Sequence, residues 1–250
     1  MIWTLLIVAG LLGGWELYAR GGSVDDFILP APTDVAQALW DDRGLLADNL
    51  RVTASEVAPG IVIALVAGLL LAVLLDRSIA VRRAVYPLLV GSQAVPIVVV
   101  APLLVVWFGF GIAPKLAIIA LVTFFPVVVT TLDALAAVDP EQRKLLTTLD
   151  ATPAQQLRWL DFPSALPGAL SGAKIAVAVA VIGAVFAEYA GSSAGLGNLI
   201  LQSIPQLETA RAYAAVVLLA VLAISLFFLL SLAERVLVPW ARRSPDRRSR

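Results

Sequence analysis

From Val57 to Leu75 the chain runs through 19 consecutive residues without one charged side chain. As a helix that stretch spans about 28 Å at about 1.5 Å per residue, close to the roughly 30 Å of a bilayer's hydrocarbon core. Five other stretches are long enough to cross and carry few charges: Ile2–Tyr18, Ala84–Trp107, Leu116–Leu135, Leu166–Ala187 and Ala212–Val238. The chain reads as an all-α integral membrane protein of about six transmembrane helices, forming one domain over residues 1–250.

Water is not the main solvent of such a chain. Of its residues 60% are hydrophobic and 14% charged, against roughly 45–50% and about 25% in soluble domains. There is no cysteine and no histidine, which removes thiolate nucleophiles, Cys/His zinc sites, haem axial histidine and histidine acid–base catalysis. No catalytic residue, metal ligand or cofactor site is expected. The formal net charge of zero leaves no bulk electrostatic attraction to nucleic acid. Ile2–Tyr18 lacks the basic n-region and small-residue cleavage site of a signal peptide and is taken as a membrane anchor.

The segment Arg20 to Arg51 is polar, with Asp25, Asp26, Asp34, Asp41, Asp42 and Asp48, and Pro30-Ala31-Pro32 stiffens it. It reads as an external loop with one short helix near Thr33–Trp40. Lys and Arg are retained on the cytoplasmic side of short loops. With the N-terminus inside, twelve fall there: Arg77, Arg82, Arg83, Arg143, Lys144, Arg158 and Arg235, then Arg242, Arg243, Arg247, Arg248 and Arg250 in the tail. Five lie outside: Arg20, Arg43, Arg51, Lys115 and Arg211. Both termini are therefore expected in the cytoplasm, in a multi-pass protein of the cytoplasmic membrane. The tail, residues 240–250, reads as a disordered basic flank attracted to anionic lipid.

Residues 138–163 carry the strongest local signals. Asp139 can cap a helix that has Pro140 at its first position and Glu141 in its first turn, running to about Leu149. Thr152-Pro153-Ala154-Gln155 is a capping box for a second helix ending by Phe162-Pro163. The two meet at Asp150-Ala151. Leu145, Leu146, Leu149, Leu157, Trp159, Leu160 and Phe162 give the pair more apolar surface than a solvated loop should show. Either the ends of the protein's own spans cover it, or a soluble partner does.

Here the chain resembles the permeases of binding-protein-dependent importers. Their cytoplasmic motif is Glu-Ala-Ala, three residues, Gly, nine residues, Ile, one residue, Leu-Pro. In register stand Lys144-Leu145-Leu146, Asp150, Leu160 and Phe162-Pro163. Pro163 matches; the acidic-Ala-Ala start and the glycine are replaced. Asp is among the few other residues that tolerate the left-handed conformation a glycine would supply there, whereas Lys144 reverses the charge of one docking contact.

A wider likeness covers nearly the whole chain and is to the nitrate/sulfonate/taurine branch. Its residues are Leu29-Pro30-Ala31-Pro32, Thr53 with Glu56 and Gly60, Gln93-Ala94-Val95-Pro96, Ala101-Pro102-Leu103, Trp107-Phe108-Gly109-Phe110-Gly111, Lys115, Phe124-Phe125-Pro126 and Gly191–Gly197. The resemblance implies a type I importer-like fold, a homodimeric pair of permeases, a cytoplasmic ATPase dimer beneath and an extracytoplasmic solute-binding protein above. It also implies that the coupling helices transmit ATP-driven closure to the pore, through Lys144, Leu145, Leu146, Leu149, Asp150, Ala151, Leu157, Leu160 and Pro163. No Gly-Lys-Ser/Thr phosphate loop is present, so nucleotide chemistry falls to a partner. Relatives carry nitrate, sulfonates, taurine, thiamine-precursor pyrimidines and riboflavin; Gln93–Pro96 and Trp107–Gly111 resemble the pyrimidine or flavin branch somewhat more.

Pro87, Pro96 and Pro102 in the third span and Pro126 in the fourth are expected to kink their helices. The kinks either shape the bundle or open a lumen lined by Ser92, Gln93, Thr123, Thr130 and Thr131. Gln93 is the leading pore-facing residue, since an amide within an apolar span needs a partner. Ser164, Gly168, Gly172, Ala176, Ala180 and Ala184 recur every fourth residue, a face along which another helix can approach closely. That helix belongs to the same chain or to a second copy. Lys174 on the same span snorkels, finds an interior partner, or meets solute. Glu188 and Gly191–Gly197 form either a plain flexible loop or, as the resemblance implies, an ordered outer loop near the binding protein.

Two other classes of membrane protein fit the sequence less well. An ion-coupled secondary transporter calls for acidic groups at the midplane and usually inverted repeats, and the spans are almost free of Asp and Glu with no evident repeat. A membrane enzyme calls for a nucleophile, base or metal cluster, and none stands out.

Overall fold

The computed structural model describes residues 2–22 and 25–240. Arg242, Arg243, Arg247, Arg248 and Arg250 of the expected basic tail lie outside the described residues.

The first helix, α1 (Ile2–Arg20), is followed by α2 (Pro32–Asp41) and α3 (Arg43–Arg77). Pro32 starts α2 where a missing N–H is harmless, and Asp34 Oδ2 accepts the Ala31 N–H at 3.1 Å. The polar segment expected as a loop up to Arg51 is thus helical from Arg43 onward: α3 extends the apolar span by four turns on its polar side. Further along come α4 (Ile79–Ser92), α5 (Ile97–Phe108), α6 (Ile112–Ala136), α7 (Pro140–Thr148) and α8 (Pro153–Gln156). A π-turn, Leu157–Asp161, leads into α9 (Phe162–Gly191), then α10 (Leu196–Ser203) and α11 (Thr209–Leu237).

Among the described residues four helical runs are long and apolar enough to cross a membrane: Arg43–Arg77, Ile112–Ala136, Pro153–Gly191 and Thr209–Leu237. The pair α4 and α5 adds a fifth as one broken span, bent by 102°. The sixth expected span falls on the 19-residue helix α1, which carries Glu16 and Arg20 at its C-terminal end. These two residues pair with each other and tie α1 to Thr33 and Asp34 of α2.

The bend corrects the expectation of a kinked but continuous third span over Ala84–Trp107. The N–H groups of Gln93, Ala94 and Val95 turn back to the carbonyls three residues earlier, and Pro96 then supplies the extended residue from which α5 starts. Pro87, Pro102 and Pro126 lie inside uninterrupted helices.

Helix α6 is central and packs along its length between α3 and α9. The small-residue face of α9 meets it within the same chain. A side chain on Gly168 would press on Ala134 Cβ, and one on Gly172 on Thr130 Oγ1. Ala176, Ala180 and Ala184 are fully buried, while Ser164 is exposed and falls outside the seam. Close backbone approach replaces the hydrophobic effect as the driving force for helix association in lipid.

Candidate functional site

At one end of the bundle the helix pair is capped as its sequence dictates. Asp139 Oδ1 accepts the Glu141 N–H at 2.9 Å; the Thr152 N–H donates to Gln155 Oε1 at 2.7 Å, and Thr152 Oγ1 accepts the Gln155 N–H at 3.3 Å. Asp150 sits at the turn with φ +55°, the left-handed conformation its position in the motif requires.

The second helix does not end at Phe162-Pro163. It runs on as one helical stretch, Pro153–Gly191. The π-turn before Pro163 widens the ring of hydrogen bonds, which makes room for a proline that cannot donate. Pro163 therefore marks a joint, and its carbonyl accepts from Trp240 Nε1 at 3.3 Å.

Lys144, Leu145, Leu149 and Asp150 are exposed, with Leu145 60% and Leu149 69% accessible; Trp159 and Phe162 add further open apolar surface. Leu146, Ala151, Leu157, Leu160 and Pro163 are half-buried. Lys144 faces Glu141 at 3.7 Å on the surface. The ends of the chain's own spans leave this apolar surface uncovered.

An ionic cluster that the sequence reading missed fastens the pair to the bundle. Buried Asp161 accepts from Arg143 Nε at 2.8 Å and from Arg77 Nη2 at 2.9 Å; Arg143 also reaches the Leu135 carbonyl at 2.8 Å and lies 4.0 Å from Asp76. It joins α7, the π-turn, and the ends of α3 and α6. The one signal in the sequence was an acid in the middle of an otherwise apolar Trp-Leu-Asp-Phe run.

Midway along the bundle, the α4–α5 break opens a cleft of about 410 Å³. Ser92, Gln93 and Pro96 line it with Val100, Val122 and Val179. The Ser92 hydroxyl donates to the Leu89 carbonyl at 2.7 Å, and Gln93 Nε2 donates to Ser92 Oγ at 3.3 Å. Thr123 and Thr130 are placed elsewhere. Both hydroxyls donate to carbonyls of their own helix, those of Ile119 and Pro126, and Thr123 is fully buried. Thr131 is buried too, so the threonines expected on a lumen sit in helix seams in this conformation. Lys174 has an interior partner, Glu234 of α11, and stands 5.9 Å from the centre of the Phe227 ring.

At the end opposite α7 lies a second polar cluster. Lys115 Nζ donates to Glu56 Oε1 at 2.5 Å and to Ser192 Oγ at 2.6 Å. Glu188, 1% accessible, accepts from Thr53 Oγ1 at 2.7 Å and from the N–H groups of Gly197 at 2.5 Å and Asn198 at 3.2 Å. Thr53 Oγ1 in turn accepts the Leu196 N–H, and Asn49 Oδ1 the Gly195 N–H. Gly195 has φ +114°, and any side chain there would meet the Glu188 carboxylate. The segment after α9 is thereby held down at every turn rather than left as a free loop.

A broken span, a capped helix pair with open apolar surface and a central three-helix packing are the parts of a transport subunit. Residues 60–243 match the family of binding-protein-dependent transport system inner membrane components, and the chain belongs to that family: it is an inner-membrane permease of an ABC transporter, a non-catalytic component that works with a separate ATPase. It is 38% identical over 224 residues to a probable ABC transporter permease of Haemophilus influenzae, covering 90% of this chain and 91% of that protein. It is 36% identical over 230 residues to the formylaminopyrimidine transport permease ThiX of Halalkalibacterium halodurans, covering 92% of each. Against the riboflavin transport permease RibX of Chloroflexus aurantiacus the identity is 34% over 232 residues, covering 92% and 87%. The fold is shared with a chain of the inward-facing methionine ABC transporter MetNI, with a TM-score of 0.70 at 20% identity over 79% of this chain and 98% of that one.

Proposed function

We propose that two copies of this chain form the translocation path of an importer for a small polar solute, delivered by an extracytoplasmic binding protein. In this reading both termini are cytoplasmic, and α7 with the segment after it seats on a cytoplasmic ATPase dimer. The observation that carries it is the open apolar surface of Leu145, Leu149, Trp159 and Phe162 on a helix pair fastened to the spans through Asp161. An uncovered apolar patch on a rigid mount marks a protein contact. The exposed stripe Ser171, Ile175, Ala178 and Ile182 of α9, beside the cleft, is the face offered to the second copy. Relatives named for formylaminopyrimidine, riboflavin, aliphatic sulfonate and taurine transport support a small polar solute of that range.

The test is uptake into proteoliposomes carrying the permease, its ATPase and its binding protein. Uptake is expected to require ATP and to ignore a proton gradient. Uptake driven by the gradient alone overturns the reading. Since the chain has no cysteine, Ala151→Cys is a clean topological probe. It is expected to react with impermeant maleimide only from the cytoplasmic side.

A further inference from the structure

Resting on that importer reading, we infer that the cleft at the α4–α5 break is a solute site for an uncharged heterocycle, one whose edge sets a hydrogen-bond donor beside an acceptor. None of the nine residues lining the cleft is charged. The interior cations nearest in kind are committed elsewhere: Lys115 to Glu56, and Lys174 to Glu234. A sulfonate or nitrate brought into such walls would lose its hydration with no cation to replace it. The break itself does not substitute for one. The C-terminal pole of α4 and the N-terminal pole of α5 meet within the same four residues, so their opposite partial charges offset.

What the cleft does offer is apolar wall and one edge of polarity. Val100, Val122, Val179 and Pro96 can cover the faces of a flat ring. Gln93 is exposed to the cleft and presents an amide oxygen beside an amide N–H, with Ser92 holding its nitrogen at 3.3 Å. A carboxamide pairs in two-point fashion with a ring nitrogen next to an exocyclic amine, as Gln does with adenine. A volume of about 410 Å³ suits such a ligand, within the roughly 300–1,000 Å³ of small-molecule pockets.

The experiment is equilibrium dialysis of the purified permease–ATPase complex, without binding protein, against radiolabelled 4-amino-2-methylpyrimidine, riboflavin and methanesulfonate. At least one of the two heterocycles should be retained and methanesulfonate not. Gln93→Leu should lower the retained heterocycle at least five-fold, and Gln93→Asn should lower it less. Retention of methanesulfonate equal to that of the heterocycles overturns the inference, as does retention of nothing, or an unchanged Gln93→Leu variant. ATP-driven uptake by the full complex is read in parallel. If uptake requires ATP while dialysis gives any of those results, the importer reading stands and the neutral cleft falls; if uptake follows a proton gradient, both fall.

Discussion

Arg143 Nε donates to Asp161 Oδ1 at 2.8 Å, and so joins the helix α7 to the start of the 39-residue helical run Pro153–Gly191. Arg77 approaches the other oxygen of the same carboxylate from α3. One buried acid thus ties α7 to two spans, and in the proposed importer a push on α7 would reach both through it. Rigid secondary elements linked by an ion pair are the physical means by which a displacement at one end reaches the other.

Asp161→Asn removes the charge that holds both guanidinium groups. Breaking a buried pair from one side costs about 3 kcal/mol when the partners keep some access to water, as Arg77 and Arg143 do, their side chains being about one-third exposed. A lower melting temperature in detergent is expected, with ATP hydrolysis that continues while uptake falls at least ten-fold. Coupled uptake at the normal rate would remove the linking role.

Asp150 occupies a left-handed backbone position that β-branched residues resist by about 1–2 kcal/mol. Asp150→Ile is expected to reach the membrane in normal amount but to uncouple hydrolysis from uptake. Asp150→Gly keeps the turn and should keep coupling, which separates backbone geometry from the loss of a carboxylate. Uptake assays on the two variants side by side decide the matter.

The α6–α9 seam can be tested by moving one methyl group across it. Gly168→Ala would place Cβ 2.5 Å from Ala134 Cβ, an overpacking expected to cost about 1–3 kcal/mol. Adding Ala134→Gly vacates that space, so the double variant should recover most of the lost melting temperature. Additive loss in the double variant would show that the two residues do not share the contact.

Glu188 collects Thr53, Gly197 and Asn198 at one carboxylate. Glu188→Gln keeps one oxygen for the N–H groups of Gly197 and Asn198 but turns an amide N–H toward Thr53 Oγ1, which loses its acceptor. The segment after α9 should loosen, and half-buried Ala194→Cys should react with maleimide several-fold faster in that background than with Glu188 intact. Equal labelling rates would mean that Asn49 and Thr53 hold the segment without the acid.

Much of this was written locally. Asp139, Thr152 and Gln155 specify their caps within three residues, Asp150 specifies its turn, and the uncharged runs specify the spans, because each depends on neighbours in the chain or on the solvent alone. The every-fourth-residue run on α9 announced a seam but not its partner. The break before Pro96 was readable as a kink, and its 102° bend was not, since how far a freed backbone opens depends on what packs around it.

The sequence by itself determined a membrane bundle with a capped helix pair at one end, in a chain without cysteine or histidine. Only the tertiary structure decided which partners its buried polar and charged groups take. Arg77 finds Asp161 across 84 positions, Glu188 finds Thr53 across 135, and Lys174 finds Glu234 across 60. A buried charge must have a partner, but which one it takes is set by the packing of whole helices against one another, and no spacing along the chain records that.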